Sequence, residues 1–147
     1  MMGKHILAVD DNPLMLEVYG AVLGAAGYEV ATAGDGLQAL EYLERQLESP
    51  DLVLLDVDMP RMTGWELLEI MRRRVEWHEV PVIMVSALIE PPAEELQQLP
   101  VFQCYVTKKE TGTELVELVR SVLDGSYQQQ PQCQLREPPP EAAAPGS

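Results

Sequence analysis

The chain has 147 residues, of which 46% are hydrophobic, and a formal net charge of -14. That length and apolar share suit one domain with a real core. The acidity argues against direct nucleic-acid binding, which rests on Lys and Arg neutralising phosphates. No apolar run is long enough to span a bilayer, and Met1–His5 lacks a signal-peptide pattern. Cys104 and Cys133 are the only cysteines, which implies no disulfide framework and a cytoplasmic protein.

In chain order, His5–Val9 reads as a buried strand that ends in Asp10-Asp11. Asn12 suits a helix cap and Pro13 the first helical position. The helix runs to about Ala26, with Gly27 at C′. Leu14, Val18, Ala21, Val22 and Ala25 share one face, read as the packing face, and Gly20 and Gly24 allow close approach to a sheet. Tyr28–Ala33 reads as a second strand. Asp35 is a candidate N-cap for a helix over about Leu37 to Leu47, with Leu40 and Leu43 facing in.

Leu52–Leu55 is a continuous apolar run, the signature of a central strand buried on both faces. It delivers Asp56 at its C-terminal edge, where open α/β sheets bind ligands. Asp58, Pro60 and Gly64 follow in a turn. Thr63-Gly64-Trp65-Glu66 matches a capping box, which opens a helix to about Val75. Arg72-Arg73-Arg74 on that helix reads as an exposed basic face.

Val80–Val85 reads as strand four, ending in Ser86-Ala87. Pro91-Pro92 and Leu99-Pro100 bracket a short helix, about Ala93 to Gln98. Val101–Val106 reads as strand five, followed by Thr107-Lys108-Lys109. Thr111-Gly112-Thr113-Glu114 suggests another capping box, and the last helix ends at Gly125. Gln128–Gln130, Pro138–Pro140 and Ala142–Ala144 make residues 125–147 a disordered tail, or a linker cut short. Cys104 reads as a small core residue and Cys133 as a free thiol in that tail.

Strands alternating with helices imply a doubly wound α/β fold: a five-stranded parallel sheet, order 2-1-3-4-5, flavodoxin-like, with five flanking helices. In that order Asp10, Asp11, Asp56, Asp58, Ser86 and Lys108 converge on one edge. Clustered carboxylates need a cation to stay ionised together, and hard oxygen ligands suit Mg²⁺. An ammonium and a hydroxyl beside them fit the oxygens of a transferred phosphoryl group, and Asp is able to act as its acceptor.

Asp10-Asp11, Asp56-Val57-Asp58-Met59-Pro60 with Gly64, Ser86-Ala87, Tyr105 and Lys108 resemble the receiver domain of two-component response regulators. Gly36-Leu37-Gln38-Ala39-Leu40 resembles that family's second-helix start. The resemblance covers roughly residues 4–124 and implies a receiver domain over residues 1–124. It implies that Asp56 accepts a phosphoryl group from a sensor histidine kinase or a phosphotransfer protein. It further implies that Asp11 binds Mg²⁺ directly, Asp10 mostly through water, and Asp58 through its backbone carbonyl. Lys108 and Ser86 would contact the phosphoryl oxygens, and Tyr105 would swing inward after them. The protein would be a signalling phosphoacceptor, not an enzyme with a turned-over substrate. The chain departs from the family pattern at Lys109, where Pro is usual, and at Leu99-Pro100-Val101, where Ala-Gly is common.

Two other functions compete. Asp56-Val57-Asp58 after an apolar strand also resembles the first motif of haloacid-dehalogenase-type phosphatases, but no later acidic metal motif follows strand four. A receiver that binds partners without phosphorylation is the other, suggested by the departures after Lys108 and around Pro91-Pro92.

Overall fold

The computed structural model describes residues 3–87, 97–109 and 112–133. Five parallel strands form one sheet in the order β2-β1-β3-β4-β5. They are β1 (His5–Val9), β2 (Glu29–Ala33), β3 (Leu52–Asp56), β4 (Val82–Ser86) and β5 (Cys104–Thr107). Among the described residues the helices are α1 (Pro13–Ala25), α2 (Gly36–Arg45), α3 (Gly64–Arg73) and α4 (Thr113–Asp124). This is the expected doubly wound, flavodoxin-like fold. The expected short helix near Ala93 lies, but for Gln97 and Gln98, outside the described residues.

The central strands are buried on both faces because both faces are covered by helices. Leu7, Val9, Val53, Leu55, Val82 and Met84 point to α2 and α3, meeting Ala39, Leu43, Leu67, Leu68 and Met71. Their neighbours Ile6, Ala8, Leu52, Leu54, Ile83 and Val85 point to α1 and α4, meeting Tyr19, Leu23, Leu115, Leu118, Val119 and Val122. The period-two alternation of the strands thus feeds two separate cores.

Local chemistry sets several element ends. Asn12 caps α1 by accepting from the Leu14 N–H, with Pro13 in the first turn. Asp35 caps α2 by accepting from Gln38 N–H at 2.8 Å. Thr63 and Glu66 form the expected capping box of α3. Gly125 ends α4 in the left-handed conformation, φ 90°. The capping box expected at Thr111 does not open α4: Gly112 occupies the N-cap position, without a side-chain cap bond.

Four further expectations are corrected. First, α1 packs through Tyr19 and Leu23, both nearly inaccessible, whereas Leu14 is 69% exposed and Val18 and Ala21 also face outward. Gly20 and Gly24 have open space where a Cβ would stand, so they mediate no close packing. Second, β5 starts at Cys104: the Gln103 N–H already bonds the Val82 carbonyl at 2.9 Å, but the paired register begins with Cys104 opposite Ile83. Third, Arg72 is no surface charge. Its guanidinium donates to the carbonyls of Val80 and Val101, both at 2.8 Å, and so ties the end of α3 to the segments leading into β4 and β5. Arg74 stacks over Trp77 and pairs with Glu44 and Glu76.

The fourth correction concerns the cysteines. Cys104 and Cys133 form a disulfide. Two 3₁₀ turns, Tyr127–Gln129 and Pro131–Cys133, bring the chain back from α4 to β5. Tyr127 and Cys133 pack against the α1/α4 core. Polar composition hid this return, because the anchor is covalent and needs little apolar area. Residues 134–147 lie outside the described residues.

Candidate functional site

Two strands place the acids. β1 stops at Val9, so Asp10 and Asp11 open the loop to α1, and the Asp10 N–H bonds the Ala33 carbonyl at 3.1 Å. β3 is one residue longer at its end, and Asp56 sits in register with Val85 of β4. The carboxylates of Asp10, Asp11 and Asp56 offer oxygens that all lie within 4.8 Å of one another. Asp10 and Asp56 are buried, at 0% and 1% exposure, while Asp11 is exposed. The Asp58 side chain is exposed and stands outside this group; its N–H points at Asp56 Oδ1, 3.4 Å away.

Lys108 follows β5 and reaches across the sheet edge. Its Nζ lies 3.2 Å from Asp10 Oδ2 and 3.4 Å from Asp56 Oδ2. The Lys108 N–H donates to the Ser86 carbonyl at 2.9 Å, which fixes this loop to the end of β4. Among the described residues no peptide bond is cis, so the Lys108–Lys109 bond is trans. Ser86, the last residue of β4, is buried beside Asp56 in the sheet order.

The electrostatics follow from burial. Desolvation, then repulsion by Asp10, pushes the Asp56 carboxyl up to about 7, with Lys108 opposing both. Burial disfavours the Lys108 ammonium, but attraction to Asp56 and Asp10 outweighs it and holds the lysine above its usual value. Asp10 Oδ2 is buried and makes no aligned hydrogen bond among the described residues; its one close polar neighbour there is the Lys108 ammonium, which it shares with Asp56. Buried anionic oxygens in excess of one ammonium fit a small hard cation. Mg²⁺ takes one or two carboxylates and keeps several waters, and this donor set suits it.

Tyr105 lies inside the protein, 5% exposed. Its ring stacks on Trp65, centroids 6.4 Å apart at 16°, and meets Phe102 at 6.4 Å. Trp65 and Phe102 thus form an aromatic slot around the Tyr105 ring.

Sequence reasoning missed one neighbour of the site and one long-range ion pair beside the β3–α3 loop. Tyr19 is 1% exposed, and its hydroxyl is held above its usual range by burial, then by Asp10 and Asp56. The spacing Met15, Tyr19, Leu23 carried that signal, but the outward apolar stripe masked it. Arg61 pairs with Asp35 at 2.6 Å across 26 residues of sequence. No local pattern announces such a pair.

A doubly wound parallel sheet with acids after its first and third strands and a lysine after its fifth defines a phosphate-handling signalling module. The family model for the response regulator receiver domain matches residues 6–120, and the chain belongs to that family. It is 30% identical over 122 residues to the polar-differentiation response regulator DivK of Brucella ovis, covering 83% of this chain and 98% of that protein. Chemotaxis protein CheY4 of Vibrio cholerae superposes with a TM-score of 0.74 at 28% identity, over 82% of this chain and 98% of that one. The receiver domain of sensor histidine kinase PA1611 from Pseudomonas aeruginosa superposes with a TM-score of 0.73 at 30% identity, over 83% and 98%. That structure has a magnesium ion coordinated in its active site cleft. The chain is therefore a receiver domain, a phosphoacceptor of two-component signal transduction at the level of the family.

Proposed function

We propose that Asp56 is the residue that accepts the phosphoryl group. The observation that carries this is the grouping of Asp10, Asp11 and Asp56 within 4.8 Å, with Lys108 in contact with two of them. In the reaction an Asp56 carboxylate oxygen attacks the phosphorus of a phosphohistidine on a sensor kinase or phosphotransfer protein. A P–O bond forms, the P–N bond breaks, and the imidazole leaves with the electron pair. Mg²⁺ would be held by Asp11 and Asp56, by Asp10 mostly through water, and by the Asp58 backbone carbonyl. When bound, it neutralises the paired acids and the phosphoryl oxygens.

Lys108 then moves its charge from the carboxylates to the phosphoryl group, and the Ser86 hydroxyl donates to it. The receiver unit is residues 1–124, with 126–133 tied to it through Cys133. Its product is a change of partner binding, not a released compound, and its downstream partner is a protein. The kinase reading places the chain in the cytoplasm, where the Cys104–Cys133 bond is open to reduction. No helix among the described residues is long and apolar enough to cross a membrane.

Intact mass after incubation with Mg²⁺ and acetyl phosphate tests the assignment. One phosphoryl mass is expected on the wild type and none on Asp56→Asn. Equal labelling of both overturns it. A second reading, partner binding without phosphorylation, draws support from Tyr105, which is buried and stacked on Trp65 before any phosphoryl group is present. Partner affinity that does not respond to beryllofluoride, a phosphoryl mimic, would favour that reading.

A further inference from the structure

Arg61 has no part in the chemistry above, yet the chain strains to place it. It lies in the loop between β3 and α3, and its φ is 67°, the only positive φ outside glycine among the described residues. Met62 N–H donates to the Pro60 carbonyl at 2.7 Å, which makes Arg61 the centre of a γ-turn of the rare, strained hand. A side chain of this size stays at positive φ only where its surroundings impose it.

Those surroundings are the first turn of α2. Arg61 Nη2 sits 2.6 Å from Asp35 Oδ2. The Asp35 side chain is only 6% exposed, and its other oxygen accepts the Gln38 N–H. The Gln38 bond, then Arg61, holds the Asp35 carboxyl below its usual range. The next loop residue, Met62, fills the space over Gly36, where a Cβ would stand 2.8 Å from the Met62 Cβ. Two successive loop residues are thus seated on α2, one by charge and one by packing.

The ends of this loop are fixed elsewhere. Val57 N–H bonds the Val85 carbonyl, and Gly64 N–H bonds the Val57 carbonyl, both at 2.9 Å. Between them stand Asp58 and Pro60. We propose that Arg61 and Asp35 form a latch that sets the β3–α3 loop, and with it the Asp58 backbone carbonyl on the metal side of the site. Arg61 is a positioning residue, and the proposal rests on the phosphoacceptor reading for its link to Mg²⁺. Without the ion pair, Arg61 relaxes toward negative φ and the middle of the loop loses its register on α2.

The test uses the full chain in four variants: Arg61→Ala, Arg61→Lys, Arg61→Gly and Asp35→Asn. Asp35→Asn keeps an oxygen for the Gln38 cap bond, and Arg61→Gly tolerates the turn while removing the charge. Mg²⁺ titration by calorimetry and amide exchange of residues 57–64 in the metal-free protein are the readouts. Arg61→Ala, Arg61→Gly and Asp35→Asn should each weaken Mg²⁺ binding by about tenfold, the low end for residues that orient metal ligands. The Arg61→Ala/Asp35→Asn double variant should be no weaker than either single one, since both remove one interaction. Arg61→Lys should recover part of the affinity. Exchange at Met62 should speed up in Arg61→Ala. Unchanged affinity and unchanged exchange in Arg61→Ala, even with a lower Tm, overturn the latch. A wild type that binds no Mg²⁺ overturns the phosphoacceptor reading instead. The latch is then judged on exchange alone, where an unchanged rate in Arg61→Ala sinks it.

Discussion

Replacing Asp56 with Asn should stabilise the metal-free protein at pH 8 and do far less at pH 4. The Asp56 carboxyl is buried and titrates at about 7, against 3.8 for an ordinary aspartate, because of desolvation and then Asp10. Between those values the folded state keeps a proton that the unfolded chain has lost. Stability from this group is therefore full below the unfolded value and is lost as pH rises through about 7. A gap of roughly three units corresponds to about 4 kcal/mol as an upper bound. The variant also gives up the attraction of Lys108, so a net gain of about 1–3 kcal/mol is expected at pH 8. At about 2–4 °C per kcal/mol for a chain of this size, Tm should rise by about 3–10 °C. Thermal unfolding followed by circular dichroism with a chelator present, at both pH values, measures it. Adding Mg²⁺ should close the gap by stabilising the wild type alone. The same Tm rise at pH 4 and pH 8, or a fall at pH 8, would refute the repulsion argument.

Two other perturbations bear on the scaffold. Gly64→Ala should cost about 2–4 kcal/mol in urea unfolding and impair labelling of Asp56. A Cβ at that position would fall 2.2 Å from the Asp56 carbonyl oxygen and 3.0 Å from Val57 Cα, both backbone atoms with nowhere to yield. A change under about 0.5 kcal/mol would mean that the loop has slack the structure does not show. Reducing Cys104–Cys133, which closes a loop with a sequence separation of 29, should cost about 2–4 kcal/mol. Dithiothreitol should lower the Tm of the wild type and leave that of Cys133→Ser unchanged; equal responses would show that the bond bears no weight.

What was legible in the sequence had a local cause. The apolar runs of β1, β3 and β4 end where carboxylates or a hydroxyl begin, so both the strands and Asp10, Asp56 and Ser86 could be placed. Asn12, Asp35, Thr63 and Gly125 act within three residues of themselves. The α1 face was misread because the helix carries two apolar stripes, Leu14/Val18/Ala21 and Met15/Tyr19/Leu23, and periodicity alone cannot choose between them. Strand five was placed three residues early because Pro100–Phe102 is as apolar as a strand without belonging to one. The Arg61–Asp35 pair, the Arg72 anchor and the Cys104–Cys133 bond join residues far apart in sequence, and only the fold brings them together.

The sulfur bridge also changes how the molecule carries load. Tension applied at the C-terminus passes from Cys133 directly into the first residue of β5. α4 lies within the covalent ring, so it is bypassed by the force that tears at the sheet. About 100 Å of extended chain is kept in reserve behind that bond. A protease or unfoldase that engages the C-terminal end therefore meets the edge strand of the sheet first, and the helix that covers it bears the pull directly only once that bond is reduced.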